Sequence, residues 1–238
     1  MCLYGPTLFF ALVYVDDLVF ATAGKATLAS VQSELQKRRA CTDLGELRSY
    51  LGLQITMDRA ARTINLNQSY IVQQVLQRFE LQFSTTPPTL PPVYRKLTAA
   101  LPDKPVEPSG HYAELVGCLI YLMMCSHLGL DYPLSILARF VVIGRHRLVH
   151  WTTPRRVAKY MATTSGMGLV LCGTQRVPLT EQCISFWADD EETSRSTQWY
   201  CFSLGSGDVS WSSSVAQSSP KAEIYRTMVP WLLKSSVG

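Results

Sequence analysis

Two adjacent aspartates, Asp16 and Asp17, are the residues of this sequence whose type and spacing best suit a chemical role. An apolar run at 8–15 precedes them and a second one at 18–22 follows them. Apolar runs rich in β-branched and aromatic residues around a short polar point predict a buried hairpin with the carboxylates at its tip. Neighbouring carboxylates repel each other, and bound Mg²⁺ would relieve that repulsion. Two magnesium ions held there could activate a primer 3′ hydroxyl and stabilise the leaving pyrophosphate in nucleotide polymerisation.

An ordinary turn with two solvated aspartates is the alternative, because so short a pattern arises often by chance. The elements that must position the pair are therefore needed to decide between the two interpretations. Hydrophobic periodicity predicts helices at 27–39, 69–79 (capped by Ser69), 112–126, 133–142, 153–163 and 220–234. Alternating patterns predict strands at 50–56, 63–67, 166–171, 184–187, 200–204 and 209–211.

Composition indicates a folded protein of mildly basic character. The chain has 238 residues, of which 47% are hydrophobic and 10% aromatic, so a sizeable core is expected. Its 22 Lys and Arg against 18 Asp and Glu give a net charge of +4, which permits nucleic-acid binding without requiring it. Seven scattered cysteines without C-x-x-C spacing favour a reduced, intracellular protein, cytoplasmic or nuclear and not secreted. The apolar runs are too short to span a membrane, and no partner in a membrane is expected.

Longer stretches of sequence around the aspartates resemble one family. The order Tyr14-Val15-Asp16-Asp17-Leu18, then 43–55, 112–122 and 155–160, is similar to the Pol polyprotein of copia-type LTR retrotransposons, from the reverse transcriptase into the RNase H domain. The resemblance implies that Asp16 and Asp17 are catalytic ligands of Mg²⁺ and that the partner is an RNA or DNA template–primer. A further aspartate of that site is expected upstream of this chain.

The end of the chain resembles the RNase H part of the same family, with departures. Matching segments lie at 195–197, 202–207, 209–212 and 222–225, and Glu223 matches the catalytic glutamate. Ile184 stands where the first catalytic aspartate is expected, and Lys221 stands two residues before Glu223. Isoleucine cannot bind a metal ion, so the resemblance implies an incomplete two-metal centre.

The resemblance implies an α+β fold: a partial palm and thumb at 1–84, a proline-rich linker at 85–110, a helical connection at 111–165 and an incomplete RNase H-like mixed sheet at 166–238. As an isolated chain it is expected to be inactive as a polymerase and as a nuclease. Two alternatives stay open, a non-catalytic remnant that binds nucleic acid and a decayed open reading frame without a selected role. The remnant would contact phosphates through basic side chains, namely Lys37, Arg38, Arg39, Arg155, Arg156 and Lys159.

Three other groups of residues invite a functional interpretation. The acidic run at 189–192 is interpreted as a solvated loop. His146 and His150 are spaced for one helix face, yet without a third ligand an exposed or nucleic-acid-facing surface is favoured over zinc. Cys118 and Cys125 are interpreted as small core residues of an apolar helix. The sequence leaves the oligomeric state open.

Overall fold

The computed structural model describes residues 2–4, 7–81, 109–141, 148–173, 179–186 and 195–215. Within these ranges helices alternate with antiparallel sheets, which confirms the predicted α+β class. Contacts divide the chain into two compact units, Met1–Arg48 and Ser49–Gly238. The predicted helix at 220–234 and residues 85–108 of the predicted linker lie outside the described residues, and the last two linker residues belong to a helix.

The first unit is a small sheet with one helix. Its strands pair antiparallel in the order β1-β2-β3, and a helix follows β3 and packs against it. The bounds are β1 Cys2–Tyr4, β2 Thr7–Tyr14, β3 Asp17–Thr22 and α1 Lys25–Arg38. The predicted hairpin and the helix after it are therefore confirmed.

One face of the β2–β3 hairpin is exposed. Residues opposite each other in an antiparallel pair share a face, and strand alternation then sorts the side chains into two sets. Phe9 is buried and stacks on Phe20 with ring centroids 5.5 Å apart. The other face is apolar and is 44–54% exposed at Leu8, Phe10, Leu12 and Tyr14. On the Phe9 face, Val13 and its partner Leu18 are also exposed, to 63% and 44%. The prediction of a buried hairpin is therefore wrong for most of its described side chains, because burial is confined to the part around Phe9.

The second unit begins with a four-stranded antiparallel sheet of order β4-β5-β6-β7. Strands β5 and β6 confirm the second predicted hairpin, but the strand predicted at 50–56 is divided by a turn into β4 and β5. The bounds are β4 Ser49–Tyr50, β5 Leu53–Asp58, β6 Thr63–Asn67 and β7 Leu169–Cys172. The last strand was predicted at 166–171 as the start of the RNase H-like sheet. It pairs instead with β6, from Thr63↔Cys172 to Leu66↔Leu169, so this part of the predicted sheet is wrong.

Four helices form the main core of this unit. They are α2 Ser69–Arg78, α3 Ser109–Ser126, α4 Asp131–Ala138 and α5 Leu148–Thr163. Leu115, Leu119 and Leu122 on α3 are fully buried, as are Leu134 and Leu137 on α4. Helical spacing predicted these elements. The predicted domain boundary at residue 84 separates α2 from the other three helices, whereas the structure packs all four together. The reason is physical: the apolar stripe of α2 is buried in the same core.

A three-stranded antiparallel sheet of order β10-β9-β8 completes the described part of this unit. Its bounds are β8 Leu179–Phe186, β9 Thr197–Leu204 and β10 Gly207–Val215. The three strands predicted at 184–187, 200–204 and 209–211 are present and longer than predicted. Strand β10 packs against α4 and lies beside β7.

Gly168 allows β7 to approach β6 closely. A Cβ at this position would fall against the backbone carbonyl of Leu66 and would come within 2.7 Å of Asn65 Oδ1. We expect Gly168→Ala to destabilise the protein by about 1–3 kcal/mol, because the strands must separate to admit the methyl group. Urea denaturation would measure this change. Gly166→Ala is the matched control, since a Cβ there meets nothing within 4 Å; equal effects at the two glycines would contradict the close-approach explanation.

Candidate functional site

The two aspartates lie at the tip of the β2–β3 hairpin, as predicted. Tyr14 pairs with Asp17 in the strand register, so Val15 and Asp16 alone form the turn between the strands. Val15 has φ 51°, a left-handed conformation that a β-branched residue rarely adopts. Such a strained residue is found where surrounding structure or function maintains it. The turn therefore presents Asp16 at the cost of local backbone strain.

Both carboxylates face solvent. Asp16 and Asp17 are exposed, and Val15 beside them is 83% exposed. Within the described residues neither aspartate makes a hydrogen bond or an ion pair with a side chain. Two neighbouring negative charges without a protein partner leave their repulsion uncompensated, which favours binding of a cation.

The pair is suited to be part of a magnesium site but not a whole one. Magnesium needs six oxygen ligands, and in phosphoryl-transfer sites it takes one or two from carboxylates and the others from water and substrate phosphates. Among the described residues no group of three or more His, Cys, Asp or Glu side chains could hold a metal ion. Within the described ranges, Asp16 and Asp17 therefore offer two carboxylates, and the third protein ligand that the family resemblance implies does not lie beside them.

The residues predicted for the second metal centre are described only in part. Ile184 lies in β8 opposite Trp199 and is 49% exposed. An apolar side chain at this position offers no ligand atom. Glu223, Lys221 and the acidic run at 189–192 lie outside the described residues, so the role of Glu223 stays a prediction.

The predicted cations of α1 are partly neutralised. Lys37 Nζ lies 3.7 Å from Glu34 Oε2, and an Arg38 guanidinium nitrogen lies 2.8 Å from Glu34 Oε1. Exposed pairs of this kind add little to stability, yet they lower the local positive charge available to an anion. Arg39, just after the helix, has no ion pair in the described part of the chain.

The prediction for His150 is wrong. The sequence favoured an exposed or nucleic-acid-facing imidazole, but His150 is fully buried on α5 and stacks on Phe140 with ring centroids 4.5 Å apart. His146 lies outside the described residues. Because Phe140 follows α4, the histidine helps to join α4 and α5 and is not available to a ligand.

Sequence reasoning missed a buried polar group between the helices. Ser126 Oγ donates to Gln68 Oε1 at 2.6 Å and lies 2.8 Å from His127 Nδ1. Burial is the main cause that lowers the pKa of His127, and backbone carbonyl contacts partly oppose it. The residue before α2 is Gln68, whereas Ser69, which was predicted to cap this helix, is its first residue. Because Gln68 and His127 are polar, the sequence pattern did not indicate that they are buried.

The described helices are not suited to cross a membrane. None of them is both long enough and apolar enough to span a bilayer.

Comparison with known proteins supports the resemblance. The retrovirus-related Pol polyprotein from transposon TNT 1-94 of Nicotiana tabacum is 27% identical over 221 residues, which cover 89% of this chain and 16% of that protein. The putative transposon Ty5-1 protein of Saccharomyces cerevisiae is 29% identical over 204 residues, covering 84% and 64%. An uncharacterized mitochondrial protein of Arabidopsis thaliana is 25% identical over 223 residues, covering 92% and 90%. No family model matches the chain, and no solved structure does.

The names of most of these relatives describe polyproteins or other proteins of transposons. Over most of its length the chain resembles the Pol polyproteins of copia-type retrotransposons. It spans only about a sixth of the tobacco polyprotein, for which the coverage is 16%.

Proposed function

We propose that this chain is a reverse transcriptase and RNase H segment of a retrotransposon Pol protein that binds nucleic acid but catalyses neither reaction by itself. The observation that supports this most is the exposed Asp16–Asp17 pair at a strand–turn–strand tip, in a chain similar to retrotransposon Pol polyproteins. In this proposal Asp16 and Asp17 would bind magnesium that also contacts substrate phosphates. The RNase H-like assignment of β8 to β10 rests on the sequence resemblance and is part of the same proposal.

The incomplete ligand set explains why we propose no independent catalysis. Preorganised charge stabilisation is usually the largest contribution to phosphoryl transfer, and it requires metal ions held in a fixed geometry. Two carboxylates on an exposed turn hold such ions poorly when no third ligand lies near them among the described residues. The isolated chain is thus proposed to act only as a binding segment.

The binding part of the proposal predicts weak association that depends strongly on salt. We expect a labelled RNA–DNA hybrid to bind with a Kd of about 1–100 μM at physiological salt, because non-specific binding comes from phosphate contacts and counterion release. Fluorescence anisotropy at ionic strengths from about 50 to about 200 mM would measure it. Tight binding without salt dependence, or no binding at low salt, would contradict the proposal.

A further inference from the structure

The outward face of α5 combines three cations with no acidic residue. The helix, Leu148–Thr163, contains Arg155, Arg156 and Lys159 and neither Asp nor Glu. Its inner face is formed by buried side chains, among them Val157, Ala158 and Met161. Arg156 is fully on the solvent side, and Arg155 and Lys159 are half-buried at the edges of that face. The positive charge is therefore concentrated on the side of α5 that faces away from the core.

Helix geometry brings the three charges close together without compensation. Lys159 is four residues from Arg155 and three from Arg156, spacings that put Cβ atoms about 5–6 Å apart. Like charges at these spacings destabilise a helix by about 0.2–0.5 kcal/mol per pair. Within the described part of the chain none of the three makes an ion pair. A bound anion would remove this repulsion.

An aromatic residue fixes the first of these cations. The Arg155 guanidinium lies over the Trp151 ring, with its central carbon 5.7 Å from the ring centroid. Trp151 is itself in edge contact with Phe79, with ring centroids 6.4 Å apart, and its ring is tilted against that of His111 at 6.3 Å. A guanidinium held on a ring loses less conformational entropy when it binds a phosphate, and its planar fork suits phosphate oxygens.

The charges beside Trp151 do not reverse the sign of this surface. His111, which contacts Trp151, has its Nδ1 4.0 Å from Glu114 Oε2 on α3, and Glu114 Oε1 pairs with Arg78. Arg78 and Glu114 cancel, so the three α5 cations remain in excess. On α1, by contrast, Glu34 pairs with both Lys37 and Arg38.

We infer that the outward face of α5 is the main nucleic-acid-binding surface of this chain, contacting successive phosphates through Arg155, Arg156 and Lys159. The inference rests on the proposed function, and it adds which of the two basic helices does the binding. A nucleic-acid backbone fits better than an anionic membrane, because the exposed residues described on α5, namely Thr152, Arg156 and Thr163, are all polar, and the half-buried Trp151 is in contact with Arg155.

The test compares two double variants of the full chain that remove the same charge. Arg156→Gln/Lys159→Gln leaves the Arg155–Trp151 contact intact, and Lys37→Gln/Arg38→Gln is the matched control on α1. Binding of a labelled single-stranded oligonucleotide is measured by anisotropy at several salt concentrations, and thermal melting checks that each variant is folded. We expect the α5 variant to bind about tenfold more weakly and its salt slope to fall by about 1.4, since each lost phosphate contact contributes about 0.7 on a single strand. The α1 variant should change affinity less than about threefold.

Three results would overturn the inference, and a fourth would overturn the proposed function. If the α1 variant weakens binding as much as the α5 variant or more, or if a folded α5 variant binds like the parent, α5 is not the main surface. If vesicles of phosphatidylserine bind the parent chain more tightly than the oligonucleotide does, the partner class is wrong. Failure of the parent chain to bind any nucleic acid at low salt is a different outcome, which defeats the proposed function itself.

Discussion

Leu119→Ala is expected to destabilise the larger unit by about 3 kcal/mol, a large part of the stability of an ordinary domain. Leu119 lies in the middle of α3, is fully inaccessible to solvent and belongs to the core shared by all four helices. The substitution removes three buried carbon atoms and leaves a cavity that a close-packed core fills only in part.

Urea denaturation followed by circular dichroism would measure this effect. Met124→Ala on the same helix is the control, because Met124 is 66% exposed and its truncation should change the free energy of unfolding by no more than about 0.5 kcal/mol. A change below about 1 kcal/mol at Leu119 would mean that α3 is not packed in this core.

Asp131→Asn is expected to stabilise the protein above pH 6. Asp131 begins α4, is 4% exposed and has one carboxylate oxygen, Oδ2, buried without a hydrogen-bond partner in the described structure. Burial raises the pKa of its carboxyl from 3.8 to about 6. A difference of about two pKa units corresponds to about 3 kcal/mol, and we expect a gain of about 1–3 kcal/mol because the asparagine amide stays buried.

The raised pKa of Asp131 also predicts how the effect of Asp131→Asn on the free energy of unfolding changes with pH. Because the folded-state pKa of Asp131 is raised, the folded chain binds the proton more tightly than the unfolded chain between about pH 4 and pH 6. Stability from this group is present below pH 4 and is lost as the pH rises to about 6. The difference in free energy of unfolding between Asp131→Asn and the parent should therefore grow across this window.

Comparing the two chains removes the contribution of His127, which is common to both. Its lowered pKa acts in the opposite direction, since stability from a neutral buried histidine is lost as the pH falls. Glu80→Gln at an exposed position controls for the loss of one negative charge. A parent–variant difference that stays constant from pH 4 to pH 7 would contradict the buried-carboxylate account.

The local elements could be predicted because their signals are local. Alternation and helical spacing identified β2, β3, α1 and the helical layer to within a few residues. The position of Asp16 and Asp17 at a hairpin tip followed from the two apolar runs beside them. Neither deduction depends on which parts of the chain meet in space.

Features that depend on distant contacts could not be predicted. Strand β7 has no sequence pattern that distinguishes pairing with β6 from pairing with β8, and the choice depends on Gly168 fitting beside Leu66. His150 is polar, so spacing suggested exposure, whereas its burial results from stacking on Phe140. The exposure of apolar side chains on the β2–β3 hairpin was also missed, because hydrophobicity predicts a tendency to be buried and does not show what covers the strand.

The same limit applies to the basic residues. Counting charges gave Lys37, Arg38, Arg155 and others equal weight in nucleic-acid binding. Only the positions of side chains distinguish a cation paired with Glu34 from one held on Trp151. The sequence contained a signal for the second, since Trp151 and Arg155 are four residues apart on one helix.

A primer-extension assay tests the central claim most directly, namely that the Asp16–Asp17 hairpin is a polymerase element without a complete metal centre. The parent chain and an Asp16→Asn/Asp17→Asn variant would be incubated with template–primer, nucleotides and Mg²⁺ or Mn²⁺, beside an active reverse transcriptase that proves the substrate competent. We predict that neither chain extends the primer above background. Extension by the parent chain that disappears in the double variant would contradict the account, because it would mean that the hairpin obtains its remaining ligands within this chain.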